Sequence, residues 1–158
     1  LKKEYVVLNK LVEGVAQAFQ TQFSDKGVQL DINLTVPPLT LFIDPNRMTQ
    51  VFTNLLNNAL RYTPSGGDVH LEVNAADESV QIMVRDTGIG ISDADLPKVF
   101  DRFYRADKSR SRHSGGSGIG LTIARRIVEL HGGTLIAESE GDDLGSTFRI
   151  ILPKALVD

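Results

Sequence analysis

The sequence predicts an α+β fold, a two-layer sandwich in which three main helices cover one face of a mixed, mostly antiparallel sheet of about five strands. Three observations predict it. Stretches with alternating apolar residues outnumber stretches with helical spacing. Most of these strands are separated only by short polar turns, which favours antiparallel pairing. The helical stretches carry apolar faces that need a sheet to pack on.

The first 62 residues predict two helices and two short strands. Apolar residues recur at helical spacing between positions 8 and 19, and Gly27 stands where that helix would stop. The segment "VQLDINLTV" alternates apolar and polar residues, and two prolines separate it from a second short strand, "LTLFI". Asp44 and Pro45 are typical of an N-cap and a first helical residue, and the helix that they begin ends near Tyr62.

The rest of the chain predicts four strands and two further helices. The segments "DVHLEVNA" and "ESVQIMVRD" are two strands joined by a tight polar turn. A short apolar-faced helix is predicted from Pro97 to Tyr104, and the last helix from Leu121 to His131. The segments "GTLIAES" and "GSTFRIILP" then form a closing hairpin.

Length and composition are those of a single globular domain. The chain has 158 residues, of which 41% are hydrophobic and 23% charged. Its net charge of -3 gives no overall attraction to nucleic acid or anionic lipid. The absence of cysteine excludes disulfides, thiolate metal sites and a cysteine nucleophile. No apolar run is long enough to span a bilayer.

A glycine-rich turn precedes the last predicted helix. Gly116, Gly118 and Gly120 alternate there, and amides at a helix N-terminus attract anions that glycines allow to approach closely. This pattern indicates a phosphate site, and a flexible linker before a capped helix is the alternative. The dinucleotide fingerprint is excluded because Leu121 stands where its third glycine belongs, and a P-loop is excluded because the sequence has no Gly-Lys pair.

The helix from Pro45 to Tyr62 carries an unusual polar stripe. Its members recur every three or four residues: Arg47, Gln50, Asn54, Asn58 and Arg61. Asparagines form helices poorly, and Asn54, Asn57 and Asn58 together cost on the order of 1 to 2 kcal/mol relative to alanine. Either the polar face is merely tolerated, or Asn58 presents a carbonyl oxygen to Mg²⁺ with Asn54 one turn away and Arg61 reaching a phosphate.

Asp86 continues the apolar face of its predicted strand. A carboxylate on that face needs a hydrogen-bond donor, and an adenine amino group would be one. The alternative is a simple turn in which Asp86 bonds its own backbone. Gly88 and Gly90 would let the chain that follows lie flat against a ring or a ribose.

A basic loop follows the helix predicted from Pro97 to Tyr104, in which Phe103 is one of the apolar positions. The cations of this region are Arg102, Arg105, Lys108, Arg110 and Arg112. A basic loop can be a nucleic-acid patch or a disordered tether. Because this one lies between a helix and a phosphate-binding turn, we interpret it as a lid whose cations close over a polyphosphate.

In order and spacing, these four motifs resemble the ATP-binding catalytic domain of sensor histidine kinases. That family lies in a superfamily with gyrase-type topoisomerases, Hsp90 chaperones and MutL repair proteins. The segment "DPNRMTQVFTNLLNNALRYTP" is similar to the N box, "DTGIGI" to the G1 box, "VFDRFYR" to the F box and "GGSGIGL" to the G2 box. The resemblance covers residues 28 to 153 and implies the Bergerat-type ATP-binding fold.

The resemblance implies ATP and Mg²⁺ as cofactors and gives the motif residues their roles. Asn58 is the implied magnesium ligand and Asn54 its companion. Arg61 and Tyr62 contact the nucleotide, and Asp86 recognises adenine. The other implied site residues are Gly88, Gly90, Ile91, Phe103, Arg105, Lys108, Arg110, Gly116, Ser117, Gly118, Ile119, Gly120 and Leu121. The family usually has threonine in place of Ser117 and often lysine in place of Arg61, and both exchanges keep the hydroxyl or the charge.

The same resemblance predicts the reaction. Hydrolytic members of the superfamily carry a glutamate where this chain has Asn54, and an amide cannot serve as a base. The γ-phosphoryl group is therefore expected to pass to a histidine on a separate dimerisation domain. His70, His113 and His131 are expected to be structural or solvated, so the acceptor is expected outside this chain.

The resemblance also implies an organisation. Residues 1–27 are expected to be the linker and first helix that follow a missing dimerisation and phosphoacceptor domain, and residues 28–158 the catalytic domain, with 1–158 forming one structural unit. The expected partners are that dimerisation domain and a downstream response regulator, and neither nucleic acid nor the membrane. The fragment is expected to be monomeric and cytoplasmic, and its parent to be a homodimer in a bacterial inner membrane.

Two alternatives remain open at this point. The first is a self-contained ATPase or serine kinase of the same superfamily. The second is a non-catalytic module that binds nucleic acid through the basic loop.

Overall fold

The computed structural model describes residues 1–34, 37–104 and 119–154. Its helices are α1 (Leu8–Lys26), α2 (Pro45–Tyr62) and α3 (Gly120–Leu130), with one turn of 3₁₀-helix at Leu96–Lys98. Its strands are β1 (Glu4–Val7), β2 (Gln29–Asn33), β3 (Thr40–Ile43), β4 (Asp68–Ala75), β5 (Ser79–Asp86), β6 (Thr134–Glu138) and β7 (Ser146–Pro153).

Five strands form the main sheet in the order β2-β4-β5-β7-β6. The β2 and β4 strands are parallel, and the other neighbouring pairs are antiparallel. This arrangement confirms the predicted mixed, mostly antiparallel sheet and the predicted closing hairpin of β6 and β7. Because β5 lies beside β7, residues from the middle of the sequence meet residues from its end.

A second, two-stranded sheet consists of β1 and β3, which pair in antiparallel register. The segment "LTLFI" was predicted as a strand, and β3 confirms it. The prediction had no strand before the first helix and missed β1. Tyr5 and Phe42 are cross-strand partners with ring centroids 4.9 Å apart, and both side chains are largely exposed.

The core lies between the main sheet and the helices. One face of each central strand is buried, as the alternation of buried residues along β4 and β5 shows. The α1 helix contributes Val12, Phe19 and Phe23, so the first helix is packed into the same core as the rest. Within the described ranges, no helix is both long enough and apolar enough to cross a lipid bilayer.

The α2 helix begins as the sequence predicts. The carboxylate of Asp44 accepts hydrogen bonds from the amides of Asn46 and Arg47 at 3.0 and 3.1 Å, and Pro45 occupies the first turn. Six apolar side chains of α2 are buried, and they hold the opposite, polar face of the helix toward the outside of the core.

Two long-range hydrogen bonds fix α2 against α3 in antiparallel orientation. At one end, the Asp44 amide donates to Nε2 of His131 at 3.0 Å, and Nδ1 of His131 donates to the carbonyl of Ile127 at 2.8 Å. At the other end, Nδ2 of Asn54 donates to the carbonyl of Gly120 at 3.0 Å. His131 is buried with both ring nitrogens in use, so its role in the fold is to join the two helix ends.

The prediction of a helix from Pro97 to Tyr104 was wrong about its length. Regular hydrogen bonding covers only the 3₁₀ turn at Leu96–Lys98, and turns follow it. Phe103 has a φ of 66° and is 70% exposed, so it leaves the helical path and does not face the core. Val99 and Phe100 keep their apolar contacts without a helix.

We expect His131→Ala to lower the free energy of unfolding by about 2 to 3 kcal/mol, because it removes a buried ring and leaves the Asp44 amide without its acceptor. Urea denaturation followed by circular dichroism measures this loss. The matched control is His70→Ala on β4, where the side chain is one-third exposed, and a loss below about 1 kcal/mol is expected there. Equal losses in the two variants would contradict the role given to His131.

Candidate functional site

A cavity of about 310 Å³ opens between α2, the loop after β5 and the start of α3. It has the size of a small-molecule site and combines apolar walls with a few polar groups. Its lining comes from α2, the loop after β5, the segment at 99–104, α3 and β7: Gln50, Asn54, Asn57, Asn58, Arg61, Tyr62, Ile89, Gly90, Ile91, Val99, Tyr104, Ile119, Gly120, Leu121, Ile123, Ser146 and Phe148.

The α2 wall of the cavity contains four of the five residues of the polar stripe, all except Arg47. Asn54, Asn58 and Arg61 all lie in the lining, one turn apart. The amide group of Asn54 is already used toward the carbonyl of Gly120. The guanidinium of Arg61 lies 5.8 Å from the ring centroid of Tyr62, so the last turn presents a cation and an aromatic ring together.

The end of α2 is held from two sides. Nζ of Lys26 donates to the carbonyls of Leu60 and Arg61 at 2.5 and 3.1 Å, and burial lowers the pKa of this lysine. The amide of Ile89 donates to the carbonyl of Tyr62 at 3.1 Å. Because the last carbonyls of a helix have no partner within it, these bonds fix the turn that carries the cation of the cavity.

Asp86 is buried at the end of β5, and its carboxylate accepts hydrogen bonds from protein groups in place of water. Its Oδ1 accepts from the amides of Gly88 and Ser146 at 2.8 and 3.2 Å, and its Oδ2 accepts from the hydroxyl of Ser146 at 2.7 Å. Burial raises the pKa of this carboxyl, and the three hydrogen bonds act in the opposite direction. The donor expected from adenine is thus not needed to keep the carboxylate in the fold, although Oδ2 can accept a second bond.

Gly88 and Gly90, in the loop after β5, are packed closely against the backbone of other segments. A Cβ at Gly88 would collide with the carbonyl of Tyr62, and one at Gly90 with the carbonyl of Gly141. Gly90 also has a φ of 71°, which disfavours other residues. Gly90 lies in the lining, and Gly88 does not.

The start of α3 forms part of the cavity wall. Ile119, Gly120 and Leu121 lie in the lining, and among the described residues no side chain caps the first turn. Amides in that position carry the positive end of the helix dipole, which favours a bound anion. The phosphate site predicted from the glycine pattern remains a prediction, and of its three glycines only Gly120 lies within the described residues.

Most of the assigned site residues that the structure describes lie together in the lining. The lining contains Asn54, Asn58, Arg61, Tyr62, Gly90, Ile91, Ile119, Gly120 and Leu121. Asp86 and Gly88 lie next to it, and Asp86 is joined to the lining residue Ser146. Phe103 is exposed and outside the lining. The predicted residues Arg105, Lys108, Arg110, Gly116, Ser117 and Gly118 lie outside the described residues, as does His113.

The sequence analysis missed the β7 wall of the cavity. Ser146 and Phe148 enter the lining because β7 pairs with β5, which places Ser146 opposite Asp86. Nothing local to either segment signals that pairing. Gln50 and Asn57 also lie in the lining. Gln50 could have been assigned from its place in the polar stripe, one turn before Asn54.

A cavity in which amide side chains, an arginine and a helix N-terminus converge beside glycine-rich backbone defines a nucleotide-binding domain. Residues 43–156 match the family model described as "Histidine kinase-, DNA gyrase B-, and HSP90-like ATPase". The chain belongs to this family. The resemblance inferred from the four motifs is therefore confirmed.

Two curated relatives are sensor kinases. The chain is 43% identical over 136 residues to the signal transduction histidine-protein kinase BaeS of Escherichia coli (strain K12), covering 86% of this chain and 29% of the relative. It is 40% identical over 154 residues to the sensor histidine kinase WalK of Bacillus subtilis (strain 168), covering 96% of this chain and 25% of the relative. The chain thus spans less than a third of the length of either relative.

Solved structures with the same fold are histidine kinases. The mycobacterial sensor histidine kinase MprB matches with a TM-score of 0.84 at 27% identity, covering 96% of this chain and 98% of that one. The histidine kinase ThkA in complex with the response regulator TrrA matches with a TM-score of 0.81, covering 97% of this chain and 42% of that one. At 24% identity the second match concerns the fold alone.

We expect Asp86→Asn to separate folding from nucleotide binding. Oδ1 of the asparagine can keep both amide donors, and its NH₂ can donate to the Ser146 hydroxyl, so the unfolding free energy should change by less than about 1 kcal/mol. Nucleotide affinity should fall at least about tenfold because an acceptor becomes a donor. Thermal unfolding and calorimetric titration measure the two quantities.

The stability difference between the parent chain and Asp86→Asn should change with pH in a defined direction. Since the folded pKa of Asp86 is raised, the parent loses stability relative to Asp86→Asn as the pH rises from the ordinary value of 3.8 through the raised one. The control Asp142→Asn changes an exposed carboxylate outside the cavity and should alter neither affinity nor this pH profile. An affinity unchanged in Asp86→Asn would rule out a nucleotide contact at Asp86.

Proposed function

We propose that this chain is the catalytic domain of a sensor histidine kinase, which binds ATP with Mg²⁺ and transfers the γ-phosphoryl group to a histidine on another domain. The observation that carries the proposal is a single cavity lined both by the amides and the arginine of α2 and by the start of α3, whose first turn has no side-chain cap among the described residues. The family and the names of the two curated relatives support it over a nucleic-acid module.

The described residues fit a magnesium ion that takes most of its ligands from phosphate and water. Within residues 1–34, 37–104 and 119–154, no cluster of three His, Asp or Glu side chains could hold a metal by itself. Mg²⁺ binds to oxygen and tolerates one or two protein ligands when a polyphosphate supplies the rest. Asn58 would hold the ion through its carbonyl oxygen, and the ion would neutralise charge on the polyphosphate.

The residue types in the cavity favour transfer over hydrolysis. The amide of Asn54 occupies the α2 position that faces Gly120, and an amide cannot take a proton from water. The work left to the protein is to hold the triphosphate in line with an acceptor and to offset its charge. Arg61 and the amides of α3 would supply that compensation.

The acceptor histidine is proposed to lie in a dimerisation domain of a longer parent chain. His131 has both ring nitrogens in use, and Nδ1 of His70 lies 3.7 Å from a carboxylate oxygen of Asp31 on the sheet. This chain covers only 29% of the length of BaeS and 25% of the length of WalK, which supports the proposal that the parent has further domains. Residues 1–27 would connect the catalytic domain to that dimerisation domain. The parent chain would form a homodimer whose catalytic domains face the cytoplasm. A response regulator would then receive the phosphoryl group.

Asn58→Ala tests the magnesium assignment. We expect ATP affinity in the presence of Mg²⁺ to fall at least about tenfold, which corresponds to 1.4 kcal/mol, because the variant loses the proposed protein ligand of the ion. Calorimetric titration with and without Mg²⁺ measures it, and the benefit of added Mg²⁺ should disappear in the variant. Asn46→Ala removes an exposed amide from the same helix and is the matched control. A variant that still gains affinity on adding Mg²⁺ would rule out Asn58 as the ligand.

Labelling with γ-labelled ATP tests where the acceptor lies. The chain alone is expected to bind ATP and to remain unlabelled, because neither of its described histidines, His70 and His131, lies in the cavity lining. Acid-labile label on this chain, located by mass spectrometry at His70, His113 or His131, would place the acceptor within it and overturn this part of the proposal.

A further inference from the structure

The cavity extends along α2 past the residues to which a role has been given. Gln50 lies in its lining, one turn before Asn54, and shares the lining there with Ile123 of α3. Gln50 stands eight residues before Asn58, which is about 12 Å along the helix axis. It therefore lies at the end of the cavity away from Ser146 and the buried carboxylate of Asp86.

The antiparallel contact of α2 with α3 sets this placement. The bond between Asn54 and Gly120 puts Asn54 beside the start of α3, and the bond between Asp44 and His131 puts the start of α2 beside the end of α3. Gln50 lies between these two anchors, so its backbone has little freedom to shift relative to the first amides of α3. A phosphate chain bound to those amides would have Gln50 as its next polar neighbour on α2.

An exposed contact joins the side chain of Gln50 to a cation. Nη1 of Arg47 lies 3.4 Å from Oε1 of Gln50 and donates to it. Because the carbonyl oxygen of the carboxamide is turned to Arg47, the group left for the cavity is the NH₂. That NH₂ is a donor, and the oxygens of a phosphoryl group are acceptors only. Arg47 adds a positive charge behind the amide.

We propose that Gln50 donates a hydrogen bond to the terminal phosphoryl group of a nucleoside triphosphate, with Arg47 holding its carboxamide in the required orientation. This inference rests on the proposed function and names the residue that distinguishes a triphosphate from a diphosphate in the same cavity. A carboxamide is no base, so Gln50 would hold the terminal group without promoting its hydrolysis.

The test compares the affinities for ADP and for a non-hydrolysable ATP analogue, each with Mg²⁺, in the parent chain and in two variants. Gln50→Leu removes the donor and keeps a good helix former, and Gln50→Glu keeps the size but presents a carboxylate. We expect the ATP analogue to bind about three- to tenfold more weakly to Gln50→Leu and more weakly still to Gln50→Glu, with ADP within about twofold of the parent.

A matched control separates the effect of a direct contact with the phosphate from the effect of an added negative charge on α2. Asn46→Asp adds the same negative charge to α2, one turn away, on an exposed side chain outside the lining, and should leave both affinities within about twofold. Equal weakening of ADP and the ATP analogue in the Gln50 variants, or no weakening of either, would overturn the inference while leaving the proposed function in place. A parent chain that binds neither nucleotide would overturn both.

Discussion

The cavity depends on how the protein solvates one buried carboxylate. Asp86 draws the amide of Gly88 and both polar groups of Ser146 to the end of β5, and so ties a loop and the first residue of β7 to one point. Each of those bonds offsets part of the cost of burying the charge. Since the loop after Asp86 continues to Ile89, whose amide donates to the carbonyl of Tyr62, the same carboxylate also helps to hold the last turn of α2.

The opposite side of the cavity is held by helix contacts of a different kind. His131 and Asn54 bond backbone groups at the two ends of the α2 and α3 pair, so the spacing of these helices is set by polar contacts that a purely apolar interface would not specify. Lys26 brings the first helix into the same arrangement by bonding the last carbonyls of α2. The polar stripe of α2 therefore faces the cavity on a rigid support.

Prediction from sequence succeeded where the signal was local. The Asp44 and Pro45 pair and the apolar stripe of α2 lie within 18 residues, and the structure has that helix with those bounds. It failed where pairing was remote. The β1 strand is only four residues long and depends on β3, and Ser146 meets Asp86 across 60 positions of sequence. Helical spacing around Phe103 was real, but a backbone turn with positive φ overrode it.

The glycines that the structure describes are not all required for the same reason. At Gly88, Gly90 and Gly145 the volume of a methyl group is already taken by a backbone carbonyl, whereas Gly14 in α1 has open space around it. A lineage selected for folding alone would keep the first three and freely replace the fourth. Retention of those three glycines among descendants that have lost their ligand would thus record backbone geometry, and would be poor evidence that nucleotide chemistry had survived.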